Sequence, residues 1–263
     1  MGLAVLKHIA SFCEENGINY VLSDGTLIGA VRHKGFIPWD LDIDISMLRP
    51  DYERFIGLWK DTADYALVTI DKVPECALSF AKIVDKHTIA YEHGMKSPLG
   101  GIWVDVFPLD AVPDDVNEII AHNSVVEKKW KAFNRLSNMS RHKSLVGKVL
   151  RRIKYCAVFG DFSIFWENPS YRYKKLITEV SKYQVQEYKN VTNYMVIYHN
   201  LPQRKYGFPK TALTDFIYTS FEDAVFRIPK DYDSMLKSYY GDYMTPPPVE
   251  EQKDHHGLEV FRI

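Results

Sequence analysis

Three aspartates at alternate positions, Asp40, Asp42 and Asp44, stand in Ile37-Pro38-Trp39-Asp40-Leu41-Asp42-Ile43-Asp44-Ile45, just after a turn punctuated by glycine. In a β-strand residues i and i+2 share a face. The alternation therefore predicts a strand with its carboxylates on one side and Leu41, Ile43 and Ile45 on the other. Carboxylates whose Cα atoms lie roughly 6–7 Å apart repel one another and drive one pKa upward, so the arrangement asks for a cation. Oxygen-only ligands favour Mg²⁺ or Mn²⁺ over zinc.

Upstream, Gly25-Thr26-Leu27-Ile28-Gly29-Ala30-Val31-Arg32 places Gly25, Gly29 and Arg32 on one face of a helix opening. Free backbone N–H groups, glycine for close approach and the Arg32 guanidinium suit a phosphate; the plainer reading makes Thr26 a helix cap. With the aspartates so close behind, the phosphate reading is preferred. Downstream, Asp105 lies in the apolar stretch Ile102-Trp103-Val104-Asp105-Val106-Phe107, where a buried aspartate needs a partner. Delivered from a neighbouring strand, it completes a metal site with Asp42 and Asp44. The alternative is that it pairs with an arginine or caps a turn.

The remaining pattern predicts a helix over 3–15 ending at Asn16-Gly17, a strand over Ile18–Ser23, a helix from Gly25 to His33 and the aspartate strand. A helix over 51–60 follows, then extended segments at 66–71, 77–84 and 88–93, the last two joined by an Asp85-Lys86-His87 turn. The strand Ile102–Phe107 is closed by Pro108, the periodicity from Asp114 to Tyr198 is helical, and short elements from Leu201 lie back over the sheet. The chain thus divides into a core at 1–113, a helical basic and aromatic insertion at 114–200 and a C-terminal segment at 201–263, packed as one unit.

With 263 residues, 46% apolar and 14% aromatic, the chain is long and apolar enough for a real core. The net charge of −1 conceals segregation, since Lys128–Lys154 contains ten Lys or Arg and no Asp or Glu. There Trp130, Phe133, Leu136, Leu145, Val146, Val149, Leu150 and Ile153 interleave with the cations. This suits an amphipathic helix on anionic lipid, a grip on a polyanionic acceptor, or a basic face packed on an acidic body. Nucleic acid ranks below these, because the rest of the chain is acidic and no binding module is present. Cys13, Cys76 and Cys156 show no Cys-x-x-Cys spacing and read as reduced structural thiols. Without a signal peptide, myristoylation pattern or spanning apolar run, the expectation is a cytoplasmic protein that meets a membrane only at its inner face.

The run from Gly25 to Asp40, then Asp42-Ile43-Asp44-Ile45 and Asp105-Val106-Phe107-Pro108-Leu109-Asp110, resembles the LicD family, relatives of the fukutin-type proteins. Phe221-Glu222, Ile228-Pro229, Tyr240-Gly241-Asp242-Tyr243-Met244 and the histidines after Pro246-Pro247-Pro248 extend the resemblance over nearly the whole chain. Two departures stand out. Leu41 replaces an aspartate common in the family, and the chain starts inside what resembles the family's first helix, so an earlier segment is expected.

The resemblance implies an α/β (α+β) fold: a polymerase-β-like nucleotidyltransferase mixed sheet with a helical insertion and a C-terminal extension. It implies a phosphotransferase that moves phosphocholine, or a related phospho-alcohol, from a CDP-choline-type donor to a hydroxyl of a cell-surface glycan, such as a lipopolysaccharide or teichoic acid precursor, releasing CMP. By position, Asp42, Asp44 and Asp105 are its catalytic, metal-binding carboxylates, holding Mg²⁺ or Mn²⁺. Asp40 stands behind them, since three residues at i, i+2 and i+4 span roughly 13 Å. Gly25, Thr26, Arg32, Trp39, Lys82, Trp103, Glu222 and His255 are its expected substrate-binding residues.

Trp39 and Trp103 of that set, together with Tyr91, are aromatic candidates for an ammonium cage, though aromatics near such strands are also ordinary core. Lys82 either points at the phosphates or is a solvated charge. Glu222 steadies a loop, the His255-His256 pair closes on substrate, and Asp105 or His255 takes the proton. The rivals are a nucleotidyltransferase releasing pyrophosphate and a non-catalytic glycan-binding scaffold. A two-carboxylate glycosidase is disfavoured, because aspartates on one strand do not flank a sugar bond from opposite faces.

Overall fold

In the computed structural model, which describes residues 1–73, 78–92, 95–97, 99–140, 145–195, 206–254 and 257–263, the first helix is α1, Gly2–Glu15. It buries Val5, Leu6, Ile9 and Cys13 along one stripe and stops where Gly17 takes a φ of +60°. The short strand β1, Val21–Leu22, leads into α2, Asp24–Ile28, which continues through a wider turn over Gly29–His33. Then come β2, Asp44–Leu48, and α3, Arg49–Leu58. β3, Tyr65–Val68, β4, Ala81–Asp85, β5, Thr88–Glu92, and β6, Met95–Lys96, precede the long strand β7, Trp103–Val112.

The main sheet runs β1-β2-β7-β4-β3, with β2 and β7 parallel and the other neighbours antiparallel. Alternation gives it two unlike faces. Ile45, Met47, Ala81, Ile83, Val104 and Val106 share one face and join Val5, Leu6 and Ile9 of α1 and Tyr52 and Phe55 of α3 in the largest core cluster. Each such aliphatic side chain, fully buried, contributes about 1.5–3 kcal/mol. The opposite face carries Asp44, Lys82 and Asp105, and is the side on which chemistry is possible.

The sheet corrects several boundaries. The aspartate strand begins only at Asp44: Trp39 lies in a turn and Asp40 and Asp42 in the extended approach to the strand. Leu41 is 40% exposed while Ile43 and Ile45 are buried, so it does not share their face in the core. Pro108 does not close β7, which runs on to Val112. Pairing with β4 ends at Val106 and pairing with β8, Asn190–Thr192, starts at Asp110. Pro108 falls in the gap, where a missing N–H leaves no carbonyl unsatisfied. β8 also interrupts the stretch expected to be helical as far as Tyr198.

The helices α4, Val116–Ser140, α5, Leu145–Phe159, and α6, Pro169–Val180, form a layer outside the sheet. Phe133 of α4 is buried with Leu176 and Val180 of α6, Trp130 packs against the same cluster, and Leu136 is buried beside Cys156 and Ile164. The apolar residues of the first half of the basic run are therefore core, not surface. The two described cysteines, Cys13 and Cys156, are free and buried, as structural thiols should be, and burial pushes the Cys13 thiol far up; Cys76 lies outside the described residues.

After β9, Phe208–Pro209, and α7, Thr211–Thr214, the hairpin of β10, Phe216–Phe221, and β11, Ala224–Pro229, sends Phe221, Phe226 and Ile228 into the largest cluster. Leu236 of α8, Tyr232–Tyr240, and Tyr243 join it too. The last strand, β12, Leu258–Arg262, pairs with β5 in a second sheet ordered β12-β5-β6. The C-terminal segment is thus built into the core rather than laid over it.

Candidate active site

Register across the main sheet sets the site. Asp44 of β2 lies opposite Asp105 of β7, and Asp105 lies opposite Lys82 of β4, so the three charges form a row across three adjacent strands. Lys82 and Asp105 are both buried, with Lys82 Nζ 2.5 Å from Asp105 Oδ1. The partner Asp105 required is therefore a lysine, not an arginine. The same ammonium lies 4.4 Å from the centroid of the Trp103 ring and 5.3 Å from that of Phe80. Lys82 is thus neither solvated nor open to the cleft, and it already occupies the Trp103 face that an ammonium ligand was expected to use. Tyr91 packs on Phe261 in the second sheet.

Thr26 ties the aspartate approach to α2. Its Oγ1 accepts the Asp44 N–H at 2.8 Å and donates, at 3.4 Å, to the Asp42 carbonyl. The Ser23 N–H donates to the Asp44 carbonyl at 3.0 Å and the Asp105 N–H to the Ile43 carbonyl at 2.8 Å. Gly25 is explained by close approach: a Cβ there would overlap the Asp40 carboxylate. An anion therefore already lies against the backbone where a phosphate was expected. Gly29 likewise leaves room for the Gly35 carbonyl, 2.5 Å from where its Cβ would stand.

Arg32 donates from Nη1 to the Tyr243 carbonyl at 2.6 Å and from Nε to His33 Nδ1 at 3.3 Å, binding α2 to the C-terminal segment. Glu222 turns the hairpin at φ +56°, accepts the Phe36 N–H on Oε1 at 2.9 Å, and donates its own N–H to the Lys34 carbonyl at 2.8 Å. It pins the loop preceding the aspartates. His255 lies outside the described residues.

The carboxylates open on a cleft of about 700 Å³ lined by Trp39, Asp40, Asp42 and Asp44 on one side and Pro247, Glu250, Glu251 and Lys253 on the other. Sequence reasoning missed the second wall, because nothing local marks residues 247–253 as facing Asp44. It also missed Asp24, at the start of α2 with φ +51° and accepting the Tyr240 hydroxyl at 3.1 Å. A left-handed φ at a non-glycine residue was the hidden signal, and only coordinates reveal it.

Burial, followed by the charges of Asp24, Asp105, Asp42 and Asp40, holds the Asp44 carboxyl well above the ordinary carboxylate range. Such a focus of negative charge, all hard oxygen, fits a divalent cation of the Mg²⁺ class. Among the described residues no three acidic, histidine or cysteine side chains converge tightly enough to be a ready-made cage. The donor chemistry therefore fits an ion, without a ready-made cage among the described residues. Asp110, by contrast, is structural, forked onto Arg49 by bonds of 2.8 and 2.6 Å in the buried interior.

The model of the LicD/FKTN/FKRP nucleotidyltransferase domain matches residues 17–135, which hold every one of these aspartates. The lipopolysaccharide cholinephosphotransferase LicD of Haemophilus influenzae is 29% identical over 98% of this chain and 94% of its own length. Human ribitol 5-phosphate transferase FKRP is 38% identical over 45 residues, 17% of this chain and 9% of its own.

Proposed function

On the premise that this chain belongs to the LicD family through its nucleotidyltransferase domain and is a phosphotransferase, we propose that it moves phosphocholine from CDP-choline to a hydroxyl of a lipopolysaccharide-type glycan, releasing CMP. The observation that carries the reading is the row Lys82–Asp105–Asp44 beside a cleft edged by Asp40 and Asp42. A fixed set of carboxylates at a strand end is what phosphoryl transfer needs, since its catalysis is mostly positioning and charge neutralisation.

Asp42, Asp44 and Asp105 are the residues that would hold the divalent ion. When bound, that ion supplies the positive charge that offsets both the carboxylates and the donor diphosphate. The acceptor oxygen forms a new bond to the phosphorus bearing choline. The P–O bond to the nucleotide breaks, CMP leaves with the electron pair, and the hydroxyl proton passes to the cleft carboxylates. Lys82 pairs with Asp105 and orients it, and Thr26 fixes the backbone of Asp42 and Asp44. Choline is met by the Trp39 ring with Glu250 and Glu251 across the cleft, aromatic face and carboxylates both suiting a quaternary ammonium. Lys253 is the only cation among the described residues that line the cleft, which supports a role for it in meeting the donor diphosphate.

The test is product analysis. CDP-choline, Mg²⁺ and a phosphocholine-free lipopolysaccharide should yield CMP only when all are present, and chelation should stop it. Release of pyrophosphate from CTP, without CMP from CDP-choline, would assign the site to nucleotidyl transfer instead.

A further inference from the structure

An amphipathic helix on a globular protein normally turns its apolar stripe to the core. α5 does the reverse. Gly147, Lys148, Arg152, Tyr155 and Cys156 are the partly or fully buried positions; Tyr155 accepts a hydrogen bond from Arg135 of α4, and Cys156 donates to the Asp161 carbonyl just before the turn Phe162–Phe165. The apolar positions Val146, Val149, Leu150 and Ile153 fall on the outer side and are 67, 45, 60 and 52% exposed. The surface continues past the helix end, where Gly160 at φ +65° redirects the chain and leaves Phe159, Phe162, Phe165 and Trp166 exposed, Trp166 by 73%. Of the large apolar side chains exposed among the described residues, ten of 25 lie between Val146 and Tyr171, a concentration that marks an interaction surface.

Charge identifies the occupant. Arg151 and Lys154 flank the stripe, are exposed and form no ion pair among the described residues. Three cations of α4 are differently engaged: Lys129 pairs with Glu179, Lys131 with Glu127, and Arg135 stacks on Phe159. Two copies of this chain meeting through the stripe would bring Arg151 and Lys154 against their own kind. A bilayer with anionic headgroups accepts both parts: acyl chains receive the Leu, Ile and Phe side chains, the interface suits Trp166, and the headgroups neutralise the flanking cations. We propose that the outer face of α5 and the 159–166 turn form a docking surface for an anionic membrane. No helix among the described residues is long and apolar enough to cross one, so the contact lies in the interfacial plane. This goes beyond the transferase reading and does not depend on it, because binding is measured without turnover.

The experiment is co-sedimentation of the full chain with vesicles of phosphatidylcholine alone, or of equal parts phosphatidylcholine and phosphatidylglycerol. The wild type should partition to the anionic vesicles and be released by high salt. Leu150→Asp with Trp166→Asp should lower partitioning roughly tenfold or more, and Arg151→Glu with Lys154→Glu should abolish the preference for the anionic lipid. These positions are exposed, and circular dichroism checks that the variants remain folded. No partitioning by the wild type, or equal partitioning by both double variants, overturns the proposal. So does light scattering that shows a dimer dispersed by the same substitutions without vesicle binding, because the face would then belong to a second copy.

Discussion

Replacing Lys82 with methionine should cost far more than the loss of one charge usually does. Lys82 is 7% exposed and Asp105 7%, so the pair sits where water cannot take over the role of either partner. Methionine fills much the same volume and can still rest on Trp103 and Phe80, so the packing loss is small. What remains is an aspartate buried opposite Asp44 with its ammonium gone. Breaking a buried pair from one side costs about 3–5 kcal/mol, where an exposed pair contributes about 0–1 kcal/mol. At about 2–4 °C per kcal/mol for a domain of this size, Lys82→Met should lower Tm by roughly 10 °C. Adding Asp105→Leu removes the stranded charge, so the double variant should recover most of that loss in thermal and urea unfolding. A Lys82→Met protein within about 1 kcal/mol of the wild type would refute the reasoning and return Lys82 to the rank of a solvated charge.

Other outcomes follow from the same geometry. Thr26→Val removes the acceptor of the Asp44 N–H and should cost about 1–3 kcal/mol in urea unfolding, with Thr26→Ser restoring both stability and turnover. Gly25→Ala pushes the Asp40 carboxylate out of place, so kcat should fall roughly 10²-fold while Tm changes little. Burial raises the Asp161 and Glu167 carboxyls, but hydrogen bonds from Ser163 and Arg172 to Asp161, and from Lys175 and Arg172 to Glu167, outweigh it and hold both below their ordinary values of 3.8 and 4.5. Their folded pKa values being depressed, the stability they supply is present above the unfolded values and is lost as pH falls through the folded ones. A Tm profile from neutral to strongly acidic pH should therefore drop more steeply below about pH 4 for the wild type than for Arg172→Met.

What the sequence made legible was whatever is local or periodic. The stripe of Val5, Leu6, Ile9 and Cys13 foretold α1, and the lone Asp105 in an apolar run foretold a carboxylate on a strand beside Asp44, which the β2–β7 register bears out. Pro108 misled because a proline ends a strand only where its neighbour needs the N–H, and pairing on that side depends on where β4 stops and β8 starts. Leu41 misled because alternation means nothing until the strand begins, and it begins at Asp44. Trp103 looked open to a ligand because its neighbour in space, Lys82, is 21 residues away in sequence. The far wall of the cleft, with Glu250, Glu251 and Lys253, is more remote still, and no local pattern could have set it against Asp44. α5 reads as amphipathic in either setting; only its neighbours decide which face is outward.

The proposed phosphoryl transfer rests on the carboxylates at the head of β2. The most direct test is mass spectrometry of the acceptor glycan after incubation with CDP-choline and Mg²⁺, comparing wild type with Asp44→Asn at matched folded concentration. Phosphocholine should appear on the glycan with the wild type and fall by about three orders of magnitude with the variant. Glycan modified equally by both proteins would place the chemistry elsewhere in the molecule and contradict the account.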